Sequence, residues 1–221
     1  MSQLRLSVQG LNVYQGATQV VFELNIALPA GAALVLQGTN GAGKSSTLKA
    51  IMGLLKRQAS VLTLNNSGKN NDLLSLSTEH IAQLGVGYVP ENRRIFTRLT
   101  VRENLLLAAR KGESSTWNID TVLDALPHLK PLLARAGDSI SGGEQRMLAV
   151  GRALMLNPSL LLLDEPCEGV APKVADAIEA VLHQVMAQGA SLLLSESHDG
   201  FAQRLGAQTL HLHAGAAVNT A

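Results

Sequence analysis

Aromatic side chains, cysteine and excess charge are scarce in this chain, and each shortage argues against a class of protein. Aromatic residues make up 3% of the 221 positions, too few for a platform on which single-stranded nucleic acid stacks. Lys and Arg number 18 against 17 Asp and Glu, and the resulting net charge of +1 argues against a nucleic-acid partner. The lone cysteine, Cys167, cannot form an intrachain disulfide and is typical of a reducing compartment.

Long apolar runs are also missing. No run approaches the roughly 18 residues that a membrane-spanning helix needs, and the longest, residues 27–36, is interrupted by Pro29 and Gly31. The first ten residues lack the apolar core of a secretory signal, so we expect none. Charged residues make up only 16% of the chain, which indicates a globular protein with apolar surface to spare for a partner.

Short apolar strands alternate with amphipathic helices along most of the chain. Residues 32–36, 160–163 and 191–194 are strands of the kind that is buried on both faces, and residues 174–186 form an amphipathic helix. This alternation predicts an α/β fold with a mainly parallel core sheet. We interpret the polar residues 65–72 as a loop and residues 214–221 as a frayed tail.

The stretch from residue 91 to residue 157 interrupts that alternation, because its pattern is mostly helical and it lacks buried strands. We therefore predict a single domain over residues 1–221. Its α/β core covers about 1–90 and 158–221, and a helical subdomain of about 91–157 is inserted into it.

A glycine-rich loop follows the first buried strand. Residues 38–45, GTNGAGKS, fit the pattern G-x-x-x-x-G-K-[ST] between a strand and a helix. Glycines let successive N–H groups turn inward as an anion nest, and the helix N-terminus adds partial positive charge. We expect Lys44 to reach the β- and γ-phosphates and Ser45 to bind Mg²⁺. A chance glycine-rich turn is the alternative. The predicted nucleotide-binding residues of the loop are Gly38, Thr39, Asn40, Gly41, Ala42, Gly43, Lys44, Ser45 and Ser46.

Two acidic residues end the strand at 160–163. Asp164 then lies at the carboxyl end of a buried strand, where ligands bind in open α/β sheets. We expect Asp164 to hold Mg²⁺ through water and Glu165 to polarise the attacking water as a general base. A solvated acidic turn is the alternative, and the phosphate loop upstream counts against it.

A helix start lies about twenty residues before the acidic pair. Ser141 and Glu144 have the spacing of a capping box, and Gly142 and Gly143 between them leave the backbone N–H groups open as a second anion site. A helix cap without a ligand is the structural alternative.

The order of the phosphate loop, SGGEQ at 141–145 and LLLLDEP at 160–166 resembles the ATP-binding cassette (ABC) ATPases, over nearly the whole chain. The resemblance implies a P-loop NTPase fold of the ABC type, with an N-terminal antiparallel β part, and ATP and Mg²⁺ as ligands. It also implies a head-to-tail dimer in which the signature of one subunit contacts the γ-phosphate held by the other. Ser141, Gly142, Gly143 and Glu144 would then contact nucleotide.

A narrower resemblance lies in GYVPENRRIF at 87–96, LTVRENL at 99–105 and EGVAP at 168–172. These segments are similar to the ATPase subunits of bacterial importers for branched-chain amino acids and related amides. Glu91 stands where most of the wider family has glutamine, so the resemblance makes it a candidate for catalysis and for metal binding. The arginines at 93, 94, 98 and 102 fit a solvated or permease-facing surface.

The importer resemblance also implies partners and a place in the cell. The partners are transmembrane permease subunits, a second ABC ATPase subunit and, indirectly, an extracytoplasmic solute-binding protein. The ATPase pair is either a homodimer or a heterodimer. The subunit would be peripheral, on the cytoplasmic face of the inner membrane. Branched-chain amino acids, urea and short amides all remain open as solutes.

The sequence departs from the family at two positions. The adenine-stacking aromatic normally precedes a glycine, but Gln15 precedes Gly16 here, and Tyr14 either stacks on adenine or packs as a strand residue. The second departure is at the switch position, where the wider family has a histidine that contacts the γ-phosphate and the branched-chain group often has glutamine. Counting from Glu165 places Ser197 there, and a slip of one residue places His198 there. We prefer His198, because both of its ring nitrogens can donate strongly. With Ser197 at the site, the alternative function is an ATP-binding, dimerising module with weak hydrolysis that relies on a sibling subunit.

Overall fold

The computed structural model describes residues 3–66, 68–109, 116–197 and 200–218. Its strands are β1 (Leu4–Gln15), β2 (Thr18–Pro29), β3 (Ala33–Gln37), β4 (Lys56–Gln58), β5 (Val61–Asn66), β6 (Lys69–Asp72), β7 (Val86–Val89), β8 (Leu160–Asp164), β9 (Ser191–Glu196), β10 (Gln208–His213) and β11 (Ala216–Val218). Its α-helices are α1 (Lys44–Ile51), α2 (Thr78–Gln83), α3 (Val101–Leu107), α4 (Ile119–Ala125), α5 (Gly142–Leu154), α6 (Pro172–Ala187) and α7 (Phe201–Arg204).

Two sheets form the framework. The larger has the order β11-β10-β3-β9-β8-β7, and all of its neighbours are parallel except β10 and β11. The smaller is antiparallel, with the order β2-β1-β5-β6 and β4 paired to β1. The mainly parallel core sheet and the antiparallel N-terminal β part are both confirmed.

The central strands are apolar at almost every position because the parallel sheet is covered on both faces. Every residue of β8 is buried. Leu161 and Leu163 pack into the core beneath α5 and α6, whereas Leu160 and Leu162 pack into the core shared with α1 and the antiparallel sheet. The parallel order brings the carboxyl ends of β3, β8 and β9 to one edge, where the candidate site lies.

Helices occupy the segment between β7 and β8. Besides α3, α4 and α5, it contains 3₁₀ helices at Pro127–Leu132 and Gly137–Ser139, and its described residues include no strand. Side-chain caps fix three helix starts, at Thr100, Asn118 and Ser141, each in a reciprocal capping box. Of the helices in the described ranges, none has the length and apolarity that crossing a membrane requires.

Two segments differ from their sequence-based assignments. Most of residues 65–72 belong to the β5–β6 hairpin, in which Asn65 pairs with Asn70. Polar side chains are tolerated there because the hairpin is at the edge of a sheet with one solvated face. In the C-terminal segment, Ala216–Val218 forms β11 and pairs with β10, so it is not a frayed tail. Residues 219–221 lie outside the described ranges.

Candidate functional site

The glycine loop joins β3 to α1 at the carboxyl edge of the parallel sheet. Gly41 and Gly43 have φ values of +85° and +98°, a left-handed conformation that favours glycine. A Cβ atom on Gly38 would lie 2.3 Å from the carbonyl oxygen of Leu212, so no larger residue fits there. α1 has no acidic residue in its first turn, and its first N–H groups have no partner within the helix. This loop can therefore surround an anion.

A cleft of about 390 Å³ opens over the loop. It is lined by Gln15, Val20, Asn40, Gly41, Ala42, Gly43, Lys44, Ser45, Ser46, Glu91, Glu165 and Glu168. A second cleft of the same volume lies around Arg5 and Trp117. It shares no lining residue with the first, and its described lining residues include no Asp or Glu. The first cleft combines a glycine loop, a lysine and carboxylates, so it is the candidate for ligand binding and catalysis.

Lys44 is the buried cation of the cleft, with its side chain 4% exposed. Its ammonium group donates to the carbonyl oxygens of Gly38 at 2.7 Å and Thr39 at 3.3 Å. It also donates to the hydroxyl of Ser197 at 2.9 Å and lies 3.3 Å from Oε1 of Glu165. These oxygens hold the ammonium group over the loop, where an entering phosphate can compete for it.

Ser45 and Asp164 lie side by side beneath the cleft. The Ser45 hydroxyl donates to Oδ1 of Asp164 at 2.7 Å, and the Ser195 hydroxyl donates to the same oxygen at 2.6 Å. The Tyr88 hydroxyl donates to Oδ2 at 3.4 Å. Burial, and next the charge of Asp164, raise the pKa of Tyr88, which keeps this donor protonated. The carboxylate is therefore fixed on three sides.

The donor set around Asp164 fits Mg²⁺ better than a metal that proteins cage entirely. Within the described ranges, no three His, Cys, Asp or Glu side chains come together as a metal-ion site. Mg²⁺ usually keeps several waters and takes one or two protein oxygens together with substrate phosphates. Ser45 and Asp164 can supply those oxygens, and the loop above them can hold the phosphates.

Glu165 is held in a strained backbone conformation, with a φ of +49°. Its N–H donates to the Ser195 hydroxyl at 3.0 Å and to the Ser195 carbonyl at 3.2 Å. In the side chain, Oε1 contacts Lys44 and Ser197. Oε2 is buried and has no hydrogen-bond partner among the described residues. One carboxylate oxygen is thus anchored, and the other is free to accept a proton.

Ser197 follows β9 and lies beside Lys44 and Asn40 of the glycine loop. Its hydroxyl accepts from Lys44 and is within donating distance of Oε1 of Glu165, at 2.5 Å, and of Oδ1 of Asn40, at 3.1 Å. The hydroxyl has one proton, so it donates to one of these oxygens at a time. Of the two candidates for the switch position, Ser197 is therefore the one seen beside the loop. His198 lies outside the described residues.

Two further carboxyls surround Glu165. Glu196 is 6% exposed, and its Oε1 has no hydrogen-bond partner within the described ranges. Burial, followed by the charges of Glu165 and Glu168, raises the pKa of Glu196 to about 7. The charge of Glu165 also raises the pKa of Glu168. Three carboxyl groups are therefore close enough together for each to disfavour the ionisation of its neighbours.

The SGGEQ segment forms the start of α5. Ser141 Oγ accepts from the N–H of Glu144, and Glu144 Oε2 accepts from the N–H of Ser141 at 2.6 Å. That second bond is the main cause of the lowered pKa of Glu144. Ser141 and Gly142 are exposed, and none of the four predicted residues, including Gly143 and Glu144, lines the cleft of the same chain.

The loop after β7 is tied to α5 by two arginines. The guanidinium of Arg93 donates to Gln145 at 3.0 Å, and a Cβ on Gly142 would lie 3.1 Å from it. Arg146 is 2% exposed and donates to the carbonyl of Pro90 at 3.3 Å. Glu91, between these attachments, is exposed and lines the cleft. The loop and the first turns of α5 are therefore joined through these two side chains.

Tyr14 and Gln15 are both at the end of β1, and they have different surroundings. Gln15 lines the cleft, and its amide donates to the Ser46 hydroxyl at 3.0 Å. The Tyr14 hydroxyl donates to Gln58 at 3.4 Å, and the ammonium group of Lys56 lies 5.5 Å from the centre of its ring. Tyr14 is not among the residues that line the cleft, so its position does not support a role in stacking.

Sequence reasoning missed Ser195, Glu196 and Gln15 as residues of the site. The signal for the first two was present, because polar residues in an otherwise apolar buried strand need a partner or a function. Ser195 has both, since it fixes Asp164 and the backbone of Glu165.

Comparisons with known proteins decide the family of this chain. The model of the family described as ABC transporter matches residues 21–168, more than half of the sequence. The chain belongs to the ABC transporter family. It is therefore an ATPase subunit of the kind that hydrolyses ATP to power transport, and it binds ATP together with Mg²⁺.

Individual relatives of this ABC transporter subunit differ in what they transport. The high-affinity branched-chain amino acid transport ATP-binding protein BraG of Pseudomonas aeruginosa is 36% identical over 90% of this chain and 85% of its own length. The lipopolysaccharide export system ATP-binding protein LptB of Escherichia coli is 32% identical over 83% and 76%. A solved ATP-binding subunit of an ABC transporter has a TM-score of 0.83 and 28% identity over 97% of this chain and 88% of that one. This last match confirms the ABC-type fold.

Proposed function

We propose that this ATPase powers an importer for branched-chain amino acids or related amides. The observation that carries the proposal is the similarity to BraG, which extends over most of both chains. Glu91 at the cleft and the segment from Glu168 to Pro172 support it, because the sequence of both resembles that importer group. The similarity to LptB is lower but comparable, so export is the competing direction.

The geometry of the cleft supports a role for each motif residue. Lys44 and the N–H groups of the loop would bind the β- and γ-phosphates. Ser45, and Asp164 through water, would hold Mg²⁺, which neutralises charge on those phosphates. Oε2 of Glu165 would take the proton of the attacking water, since this buried oxygen has no other partner in the described part of the chain.

The exposed start of α5 supports a dimer. Ser141 lies outside the cleft of its own chain, although the open N–H groups beside it can bind an anion. In a head-to-tail pair, Ser141 of each chain would meet the nucleotide of the other. Two permease subunits would complete the transporter, with the ATPase pair peripheral on the cytoplasmic face of the inner membrane and a solute-binding protein outside.

One observation favours a second candidate, an ATP-binding module that hydrolyses weakly and relies on a sibling subunit. Ser197 stands beside Lys44 and Glu165 where the resemblance leads us to expect a histidine or glutamine. A serine hydroxyl is shorter than either side chain and has a single proton to donate. In a heterodimer, a second subunit with a complete site would then carry most of the turnover.

The proposed import function is tested by uptake in the organism that carries this chain. We would delete the gene and measure entry of radiolabelled leucine, isoleucine, valine, urea and acetamide. Wild type and a Glu79→Gln control should restore the uptake of at least one solute, and Glu165→Gln should not. Normal uptake of every solute in the deletion strain would overturn the import proposal, and accumulation of an envelope lipid inside the cell would favour export.

A further inference from the structure

The second cleft, here called the Arg5 cleft, differs from the nucleotide cleft in its charge. It has a volume of about 390 Å³, and Arg5 is the one charged side chain among the described residues that line it. The other lining side chains are amides, hydroxyls and apolar groups. The Arg5 cleft therefore combines a positive charge with room for a small molecule.

The Arg5 cleft lies at the amino edge of the parallel sheet. Ser159 directly precedes β8 and Ala190 directly precedes β9, and both residues line this cleft. Asp164 and Ser197 lie at the other ends of these two strands, in the nucleotide site. We therefore expect a ligand of the Arg5 cleft to leave the nucleotide site open.

The protein satisfies the guanidinium of Arg5 only in part. Nη1 donates to the carbonyl of Asn65 and to Oδ1 of Asn66, both at 2.8 Å, and Nη2 donates to the carbonyl of Gly189 at 3.2 Å. Nε is buried and has no hydrogen-bond partner in the described part of the chain. All three acceptors are neutral, whereas a carboxylate accepts more strongly and can accept from two N–H groups of one guanidinium.

The positive charge of Arg5 also lacks compensation. Arg5 belongs to none of the ion pairs that the described residues form. Burial lowers the pKa of Arg5, and no described carboxylate acts against that effect. Arg57 differs, because burial lowers its pKa while the charge of Asp72 raises it. A buried charge without a partner costs free energy, which an entering anion would offset.

The walls of the Arg5 cleft are held in place by hydrogen bonds. Asn157 has a φ of +50°, and its side chain binds both backbone polar groups of Trp117. Its Oδ1 accepts from the Trp117 N–H at 2.7 Å, and its Nδ2 donates to the Trp117 carbonyl at 2.8 Å. Gln188 and Gly189 add the end of α6 to the lining. Little rearrangement is therefore needed for a ligand to bind.

We propose that the Arg5 cleft binds a small organic molecule that has a single carboxylate group. One arginine neutralises one negative charge, so a monoanion fits this cleft better than a phosphate or a dicarboxylate. The carboxylate would accept from the guanidinium of Arg5, and the surrounding amides and apolar groups would contact the rest of the molecule. The site goes beyond the proposed function, because it does not depend on which solute is transported or in which direction.

The test is titration calorimetry on the purified full chain. Mg²⁺ and a saturating β,γ-imido analogue of ATP, which resists hydrolysis, occupy the glycine loop throughout, so that binding of a further anion reports on another site. The probes are leucine, 4-methylpentanoate, which is leucine without its amino group, 3-methylbutylamine, which is leucine without its carboxylate, and inorganic phosphate.

We expect at least one of the two carboxylates to bind with a Kd below about 5 mM. The amine and phosphate should bind at least about ten-fold more weakly than that carboxylate. Tighter binding of leucine than of 4-methylpentanoate would identify the ligand as an amino acid, and the reverse order would identify it as a simple carboxylic acid.

Two variants locate the binding. Arg5→Gln should weaken carboxylate binding at least about ten-fold, and Arg98→Gln, at an exposed position outside the cleft, should not change it. Gln188→Trp fills the cleft and leaves Arg5 in place, so it should also weaken binding. It serves as the test if Arg5→Gln does not fold. Its matched control is Gln184→Trp, at an exposed position of α6 that does not line the cleft.

Three results would overturn the proposal. The first is the absence of binding by either carboxylate up to about 50 mM. The second is an unchanged carboxylate affinity in Gln188→Trp or in folded Arg5→Gln. The third is binding of phosphate as tight as that of the carboxylates, since the cleft would then not select a monoanion.

Discussion

The ammonium group of Lys44 lies 3.3 Å from Oε1 of Glu165, and the side chains of both residues are more than nine-tenths buried. The pair joins the cation that we assign to the phosphates and the carboxylate that we assign to the attacking water. Without nucleotide, each neutralises the other, which lowers the cost of burying two charges. A bound γ-phosphate would compete with Glu165 for Lys44 and leave the carboxylate available as a base.

Glu165→Gln should retain ATP binding and lose hydrolysis. The amide keeps the size of the side chain but cannot accept a proton from water, and general-base catalysis typically contributes 10²–10⁴-fold. We expect kcat to fall at least about 100-fold while ATP affinity stays within a few-fold. The control is Glu79→Gln, at an exposed position of α2. Turnover at the wild-type rate in Glu165→Gln would refute the assignment of Glu165 as the general base.

The same assay tests the dimer. Steady-state hydrolysis by the wild type should rise more than linearly with protein concentration if two chains form the site.

Lys44→Ala should weaken nucleotide binding. The substitution removes the cation of the cleft and leaves Glu165 buried without its partner, so ATP affinity should fall at least about ten-fold. Titration of the β,γ-imido analogue measures the change. The matched control is Lys130→Ala, because Lys130 pairs with Asp124 on the surface with its side chain 51% exposed. An affinity equal to that of the control would remove Lys44 from the phosphate site.

Ser197→Ala should reduce turnover more than it affects binding. The hydroxyl anchors Oε1 of Glu165 and also contacts Lys44, and a hydrogen bond to a charged group is typically worth ~1.5–3 kcal/mol. We expect kcat to drop about ten-fold or more while KM stays within about three-fold of the wild-type value. Ser197→Thr keeps the hydroxyl and should restore kcat. Ser75→Ala, at an exposed position, is the control.

The same assay discriminates between the two switch candidates. If Ser197→Ala turned over like the wild type and His198→Ala did not, the switch function would belong to His198. Very slow hydrolysis in the wild type that rises in Ser197→His would favour the module that depends on a sibling subunit.

Glu196 should make the stability of the nucleotide-free chain depend on pH. Its pKa is raised from 4.5 to about 7 in the folded state. The folded chain therefore holds this proton more tightly than the unfolded chain, and stability falls as pH rises from about 4.5 to 7. Glu196→Gln cannot ionise at this position, so the variant does not lose this stability as pH rises. The unfolding free energy of the variant minus that of the wild type should therefore increase by about 2–3 kcal/mol between pH 4.5 and pH 8. Urea unfolding in the presence of EDTA measures this difference, and a difference that does not change with pH would contradict the prediction.

Asn104 should be essential for stability. It is fully buried, accepts from the N–H of Phe96 at 2.8 Å, and donates to the carbonyls of Phe96, Leu99 and Thr100. Asn104→Ala leaves these groups unpaired, so we expect a loss of about 2–4 kcal/mol in unfolding free energy. Leu107→Ala at a 61% exposed position should cost under about 0.5 kcal/mol. Equal stability of the two variants would show that the network contributes little.

The core of the fold followed from the sequence because its strands are buried on both faces. A run such as Leu160–Leu163 has one plausible environment, whereas the polar residues 65–72 suit a loop and an edge hairpin equally well. Only the pairing of β5 with β1, which is remote in sequence, decides between them. Local pattern does not contain that information.

The candidate site likewise has parts that the local sequence pattern predicts and parts that it leaves open. Lys44, Ser45 and Asp164 follow from motifs whose spacing reflects the chemistry of phosphate and Mg²⁺. The parts that were missed or left open, Ser195, Glu196 and the choice between Gln15 and Tyr14, depend on which way a side chain faces at the end of a strand. A bulge or a shift of one residue reverses that direction, and β1 has register shifts near Tyr14.

The hydrogen bond from Lys44 to Ser197 joins residues 153 positions apart in the chain. When α1 and the complete glycine loop have left the ribosome, the nucleotide site is therefore still incomplete. The site also requires Asp164 from β8, Ser195 from β9 and Ser197, which follows β9. We therefore expect the ability to hold ATP to arise late in synthesis and in one step, once residue 197 has left the ribosome.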